Sequence, residues 1–209
     1  MKKIIISALV ASALSTAVLA GPNSSGAYVG LGFGTTAYND GDYLNEKLKL
    51  DNLDNSASGY KVYGGYQFNN IVGVEAAYTD YGKFSADRGF STAPTAFSVA
   101  ANLGYSFLDG QLRPFGTLGL SYLSSNYSNY PKTIAGDPFG ADVIAPDDQY
   151  ASIHYGLGIQ YEPDALIGFG FRLAIEADTY SIVIKETGKD DETYAQSLSM
   201  LYLGVQYKF

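Results

Sequence analysis

The chain contains no cysteine and no tryptophan, and its basic residues are outnumbered by acidic ones 13 to 21. Without cysteine, no disulfide can brace it in an exported, oxidising compartment. The negative balance, −8 overall, argues against a nucleic-acid partner. Beyond the first twenty residues no apolar run approaches the ~20 residues that a spanning helix needs. That excludes a helical membrane protein. It does not exclude a barrel, whose strands cross in ~9–11 residues each. Missing tryptophan removes one usual girdle residue of such barrels, but 19 tyrosines and 11 phenylalanines are available for that place.

The first twenty residues read as a leader. Lys2 and Lys3 form a basic start, residues 4–14 are apolar apart from Ser7 and Ser12, and Val18 and Ala20 are small residues placed for cleavage before Gly21. The apolar stretch is too short for an anchor. No cysteine follows, so lipid attachment there is not expected. Removing the two lysines takes the formal charge to −10 and leaves residues 21–209 as one domain.

The last sixteen residues, YAQSLSMLYLGVQYKF, carry the most specific pattern. Leu201, Leu203, Val205, Tyr207 and Phe209 alternate with Met200, Tyr202, Gly204, Gln206 and Lys208, which puts the two sets on opposite faces of a strand. An aromatic terminus gains nothing in water, where chain ends fray, but gains a place at a lipid boundary.

The same period of two recurs upstream. It predicts strands over residues 27–38, 59–68, 71–81, 95–107, 112–123, 149–161 and 168–180, the terminal stretch being the eighth. Apolar side chains such as Phe97, Val99, Leu103, Leu118, Leu120, Leu157, Phe171 and Leu173 take one face. Lys61, Glu75, His154, Arg172, Glu176 and Asp178 take the other. Gly30, Gly32 and Gly34 share the charged face, where glycine makes room for larger neighbours. The connections alternate: polar and long after strands one, three, five and seven, short after two, four and six. A soluble eight-stranded barrel would turn its apolar face inward and would not sort its loops by length. Charges inside and apolar residues outside make the expected fold all-β: an eight-stranded antiparallel up-and-down transmembrane β-barrel with both termini on the short-turn side.

The stretches YVGLGFG, YKVYGGYQF, GVEAAYTDYG and LYLGVQYKF resemble the OmpA-type or opacity-type eight-stranded outer-membrane proteins, and the likeness runs from Ala27 to Phe209. The resemblance implies residence in the outer membrane with both termini periplasmic, next to lipopolysaccharide. It also implies that Tyr202, Gly204, Tyr207 and Phe209 form an assembly signal read by the outer-membrane insertion machinery. The chain stops at the eighth strand, so the peptidoglycan-binding domain of full-length OmpA, and with it wall anchoring, is not expected.

For chemistry, the candidates are few. Lys61, Glu75, His154, Arg172 and Glu176 face the interior together and read either as an ion-pair network or as the charges of a narrow gated pore. Interior salt bridges known in OmpA-type relatives agree with the network and leave a pore open. Some eight-stranded barrels modify lipid with a serine and a histidine on the outer face. Here Ser152 and His154 share a face, but it is the interior one, so no catalysis is expected. The long connections over residues 39–58, 80–94, 124–148 and 181–193 hold 15 acidic residues against 7 basic. That suits divalent-cation bridging to lipopolysaccharide, or adhesion to a host or cell-surface ligand. None has the spacing of a calcium loop, so no metal or other cofactor is expected.

Overall fold

The computed structural model describes residues 25–41, 54–86, 89–128, 148–184 and 192–209. The leader expected over residues 1–20 lies outside them, as do residues 42–53, 129–147 and 185–191 of the long connections.

Eight strands close into a barrel: β1 (Gly26–Asn39), β2 (Ser56–Gln67), β3 (Val72–Asp80), β6 (Thr95–Gly104), β7 (Leu112–Ser124), β9 (Gln149–Tyr161), β10 (Phe169–Ile184) and β11 (Glu192–Lys208). Each pairs antiparallel with its chain neighbours, and β1 meets β11 to close the ring, from Tyr28↔Lys208 to Asn39↔Ser197. The backbone amide of Phe209 donates to Ala27 O at 2.9 Å, so the last residue is pinned to the first strand. Three tight turns lie at this end. In one, the Asn69 side chain accepts the amides of Ile71 (2.8 Å) and Val72 (2.9 Å). In another, Gly168 adopts φ 80°, which a residue without Cβ takes cheaply.

The faces are inverted relative to a soluble barrel. Phe33, Leu120, Leu157 and Leu203 are 66–70% exposed, whereas Lys61 and Arg172 are 1% exposed. In water the outer face would waste the burial of more than a dozen large side chains; against lipid it costs nothing. Two aromatic belts mark its limits. Tyr66 with Phe68, Tyr105 with Phe107, and Phe169 with Tyr207 with Phe209 lie near the tight turns, each pair 5.0–5.2 Å between centroids. Tyr60, Tyr78, Tyr122 and Tyr155 ring the other side.

Inversion does not hold along the whole height. On β10 the outward row passes from Phe169, Phe171, Leu173 and Ile175 to Ala177, Thr179 and Ser181; the inward row passes from Arg172, Glu176 and Asp178 to Tyr180 and Ile182. On β11 the outward row likewise changes from Leu203 and Leu201 to Ser199 and Ser197, while Leu198 turns in. The barrel wall continues past the lipid zone, and there it reverts to the soluble pattern, apolar within and polar without. Leu123, Ile182, Leu198 and Phe84 are fully buried in this rim core, with Phe90, Tyr38 and Tyr180 packed around them.

This corrects the sequence reading in three places. Residues 82–94, read as a polar loop, carry two short strands, β4 (Phe84–Ser85) and β5 (Ser91–Thr92), which join β8 (Tyr127–Ser128) in a second, three-stranded sheet. That segment is anchored by buried Phe84 and Phe90, whose isolation among polar residues hid them. The last hairpin is also taller than expected, since β10 continues to Ile184 and β11 begins at Glu192. At the base, the 95–107 strand stops at Gly104, where the chain bends into the turn at Leu108–Gly110.

Candidate functional site

The middle of the lumen is filled by side chains from six strands. β2 supplies Lys61, β3 Glu75, β10 Arg172, Glu176 and Asp178, β9 His154, β1 Tyr28 and β11 Tyr202. Each sits at an inward position because the pleat alternates. Arg172 Nη1 donates to Glu75 Oε2 at 2.8 Å, and Tyr28 Oη donates to the same oxygen at 2.8 Å. Lys61 lies 3.3 Å from Glu75 Oε1 and donates to Glu176 Oε2. Tyr202 Oη donates to Glu176 Oε1 at 2.8 Å. His154 presents Nε2 to Glu176 at 3.5 Å and Nδ1 to Asp178 at 3.0 Å. The Arg172 guanidinium also lies over the Tyr63 and Phe115 rings, at 4.2 and 4.7 Å from their centroids.

All five residues expected to share the interior therefore meet in one network, 1–3% exposed. Two cations face two glutamates, with Asp178 beyond His154. In a low-dielectric lumen a charge is tolerable only when paired and hydrogen-bonded, and here every carboxylate has at least two donors.

Sequence reasoning missed three parts of the network. Asp178 was recognised as inward but left out, although it accepts hydrogen bonds from Tyr81 and Ser121 and faces His154. Tyr202 was read only as part of the assembly signal and Tyr28 was given no role, yet both hydroxyls donate to interior glutamates. The parity of their positions assigns their face; their depth has no signal along the chain. A separate ionic cluster at the base was also missed: Lys208 Nζ reaches Glu162 at 2.9 Å, and Gln160 and Gln206 donate to the same carboxylate. Glu162 had been read as a turn residue. Beside it, Arg113 donates to Asn102 at 2.7 Å and to Ile71 O at 3.3 Å.

The lipid-modifying alternative finds no geometry. Ser152 is hydrogen-bonded to Ser121, both nitrogens of His154 face carboxylates, and both residues are buried in the lumen. A base must contact the hydroxyl that it activates. Here it does not.

Above the charges, the described residues of the rim form a buried apolar cluster. The proposed assembly residues divide between faces: Tyr202 and Gly204 point in, Tyr207 and Phe209 out. Gly204 leaves room for the Tyr63 hydroxyl, which a Cβ there would meet at 3.0 Å.

Comparison with known proteins places this geometry. The family described as outer membrane protein beta-barrel domain matches residues 6–209. Outer membrane protein P5 of Haemophilus influenzae is 30% identical over 139 residues; the match spans 62% of this chain and 39% of that protein, well under two thirds of its length. Among solved structures, the outer membrane protein OprG of Pseudomonas aeruginosa superposes with a TM-score of 0.55 at 14% identity, over 90% of this chain and 97% of that one. Ail, the attachment invasion locus protein of Yersinia pestis, solved with the heparin analogue sucrose octasulfate, gives 0.51 at 19% identity, over 89% and 99%. At these identities the structural matches speak for the fold.

Proposed function

The chain belongs to the outer membrane protein beta-barrel domain family, and on that premise we propose that it is a closed outer-membrane scaffold acting through its four long connections. Its work is structural support of the envelope and attachment to a host or cell-surface ligand. The observation that carries this reading is the packed lumen. Among the described residues a paired charge layer fills the middle and a buried apolar core packs at the rim, which supports a closed interior. The purified protein in a planar bilayer is expected to stay silent at moderate voltage; steady ohmic steps would overturn the scaffold reading.

A narrow pore governed by Lys61, Glu75, Arg172 and Glu176 is the second reading. It is favoured by buried polar atoms in the lower lumen that have no protein partner, among them Tyr63 Oη, Gln67 Nε2 and Asn102 Nδ2. They suit water entering from the base. The rim core would have to open before such water became a channel.

In the proposed orientation both termini are periplasmic, the leader of residues 1–20 is removed, and the insertion machinery reads Tyr202, Gly204, Tyr207 and Phe209. Deleting Phe209 is then expected to lower the amount of barrel in outer-membrane fractions several-fold, while the protein still refolds in detergent. Equal abundance would refute the signal. Charge narrows the partner class: with 15 acidic residues against 7 in the long connections, a polyanion of the kind bound to Ail is disfavoured. A cationic ligand, or lipopolysaccharide bridged by divalent cations, fits better. Deletion of one connection at a time, scored by adhesion of intact cells, tests this.

A further inference from the structure

Glu75, Glu162, Glu176 and Asp178, the lumenal carboxylates described above, each touch a basic side chain. Arg113 is the reverse case, a lumenal cation that touches no carboxylate among the described residues. It is 4% exposed. Its guanidinium donates only to neutral oxygens: Nη1 to Asn102 Oδ1 at 2.7 Å, Nε to Asn70 O at 3.4 Å and Nη2 to Ile71 O at 3.3 Å. Glu162 and Glu75 act on it from beyond contact. A guanidinium has more N–H groups than these bonds use. Burying a cation without a counter-charge costs more than burying a neutral donor.

Beside this guanidinium the inward row of side chains is interrupted. Gln67, Gly73 and Asn102 sit opposite one another on β2, β3 and β6, and Asn102 faces Thr117 on β7. Gly73 has no side chain to fill its place. The three atoms nearest to a Cβ placed there are all backbone: Tyr66 O at 3.1 Å, Gln67 Cα at 3.5 Å and Asn102 O at 3.8 Å. Around that recess Gln67 Nε2, Asn102 Nδ2 and Thr117 Oγ1 have no hydrogen-bond partner among the described residues. All three side chains are buried, 2–5% exposed. Asn102 gains nothing by turning its amide over, because Arg113 already donates to its oxygen. Spare donors and a spare positive charge therefore surround the place where a side chain is missing.

We propose that Arg113, Gln67, Asn102 and Thr117 bind a small monovalent inorganic anion of the chloride type in the recess over Gly73, entered from the tight-turn end. Water would satisfy the orphaned donors but brings no charge; an anion answers both needs. The single missing side chain limits the size of the ligand, and the single unpaired guanidinium sets its valence. Acidic polymers and phosphate esters do not fit that description. The site lies below the layer of Lys61 and Arg172, against the turn between β2 and β3, so it is independent of whether the lumen conducts. Its occupant offsets a buried charge of the folded state alone, which makes folding depend on the anion.

The test compares urea unfolding of the full chain in lipid vesicles in sodium chloride and in sodium gluconate, at equal ionic strength so that screening is the same. The parent is expected to be more stable in chloride. Once chloride exceeds its dissociation constant, each tenfold rise, with gluconate making up the ionic strength, is expected to shift the unfolding equilibrium about tenfold. Gln67→Glu keeps the shape of the side chain and supplies a carboxylate of its own, so its stability is expected to be the same in both salts. Thr117→Val removes one donor without adding charge and is expected to weaken chloride binding several-fold. It decides the matter alone if Gln67→Glu does not fold. Crystals grown in bromide are expected to show anomalous density within hydrogen-bond reach of Arg113 and Gln67. The proposal is overturned by equal parent stability in the two salts, which would make the recess a water site. Undiminished chloride dependence in Thr117→Val or Gln67→Glu, or bromide density that avoids the recess, would overturn it as well. Conductance is untouched by these outcomes, so the scaffold reading stands or falls separately.

Discussion

Replacing Arg172 with alanine is expected to cost about 3–5 kcal/mol of stability, read as a large drop in urea midpoint for the protein folded in lipid vesicles. The side chain is fully buried, donates to Glu75 and lies over two aromatic rings. Its removal leaves Glu75 and Glu176 with one close cation, Lys61, and opens a void beside Tyr63 and Phe115. The loss comes less from the vanished attraction than from the charge left behind. Arg172→Lys separates the two effects: it keeps the charge but not the flat guanidinium that stacks on Tyr63, and is expected to fall between parent and alanine. An unchanged midpoint for Arg172→Ala would mean that the layer is not needed for stability.

The second large effect is expected at the rim. Phe84→Ala removes a fully buried ring that lies 5.5 Å from Tyr38, for an expected loss of about 3–5 kcal/mol and new protease cleavage within residues 82–94. Phe97→Ala is the comparison. That ring is 54% exposed on the outer face, where an acyl chain replaces what is lost, and the change is expected to cost below about 1 kcal/mol. Equal losses at both positions would mean that Phe84 is no better packed than a lipid-facing ring.

How much of this was legible follows from what period two reports. Parity assigns each residue to a face, so Lys61, Glu75, Arg172 and Glu176 could be set against Leu118 and Leu203 without a structure. Parity says nothing of height. Lys61 and Glu176 are 115 residues apart on β2 and β10, which are not adjacent in the sheet, and they meet because tilt and stagger bring them level across the lumen. The same blindness left Asp178 outside the network and made Glu162 a turn residue. The rim was misread for another reason. Residues 82–94 and 181–193 were set aside as polar connections, because the apolar-outward rule that bounded the strands holds only where lipid is the solvent. Ile182 and Leu198 belong to the part that stands in water.

That standing part sets a clearance. Between Ala177 and Ile184 the β10 backbone climbs at about 3.3 Å per residue and a tilt near 40°, lifting the roots of the last connection roughly 18 Å above the level of Ala177. In the orientation proposed above, a connection sprouting at the bilayer surface would lie among sugar headgroups, shielded from anything large. On this pedestal, stiffened by its own packed interior, even a short connection reaches past that layer. Reach is built into the wall and does not depend on the length of the loops, so shortening a connection should alter which partner is bound before it alters whether one can be touched.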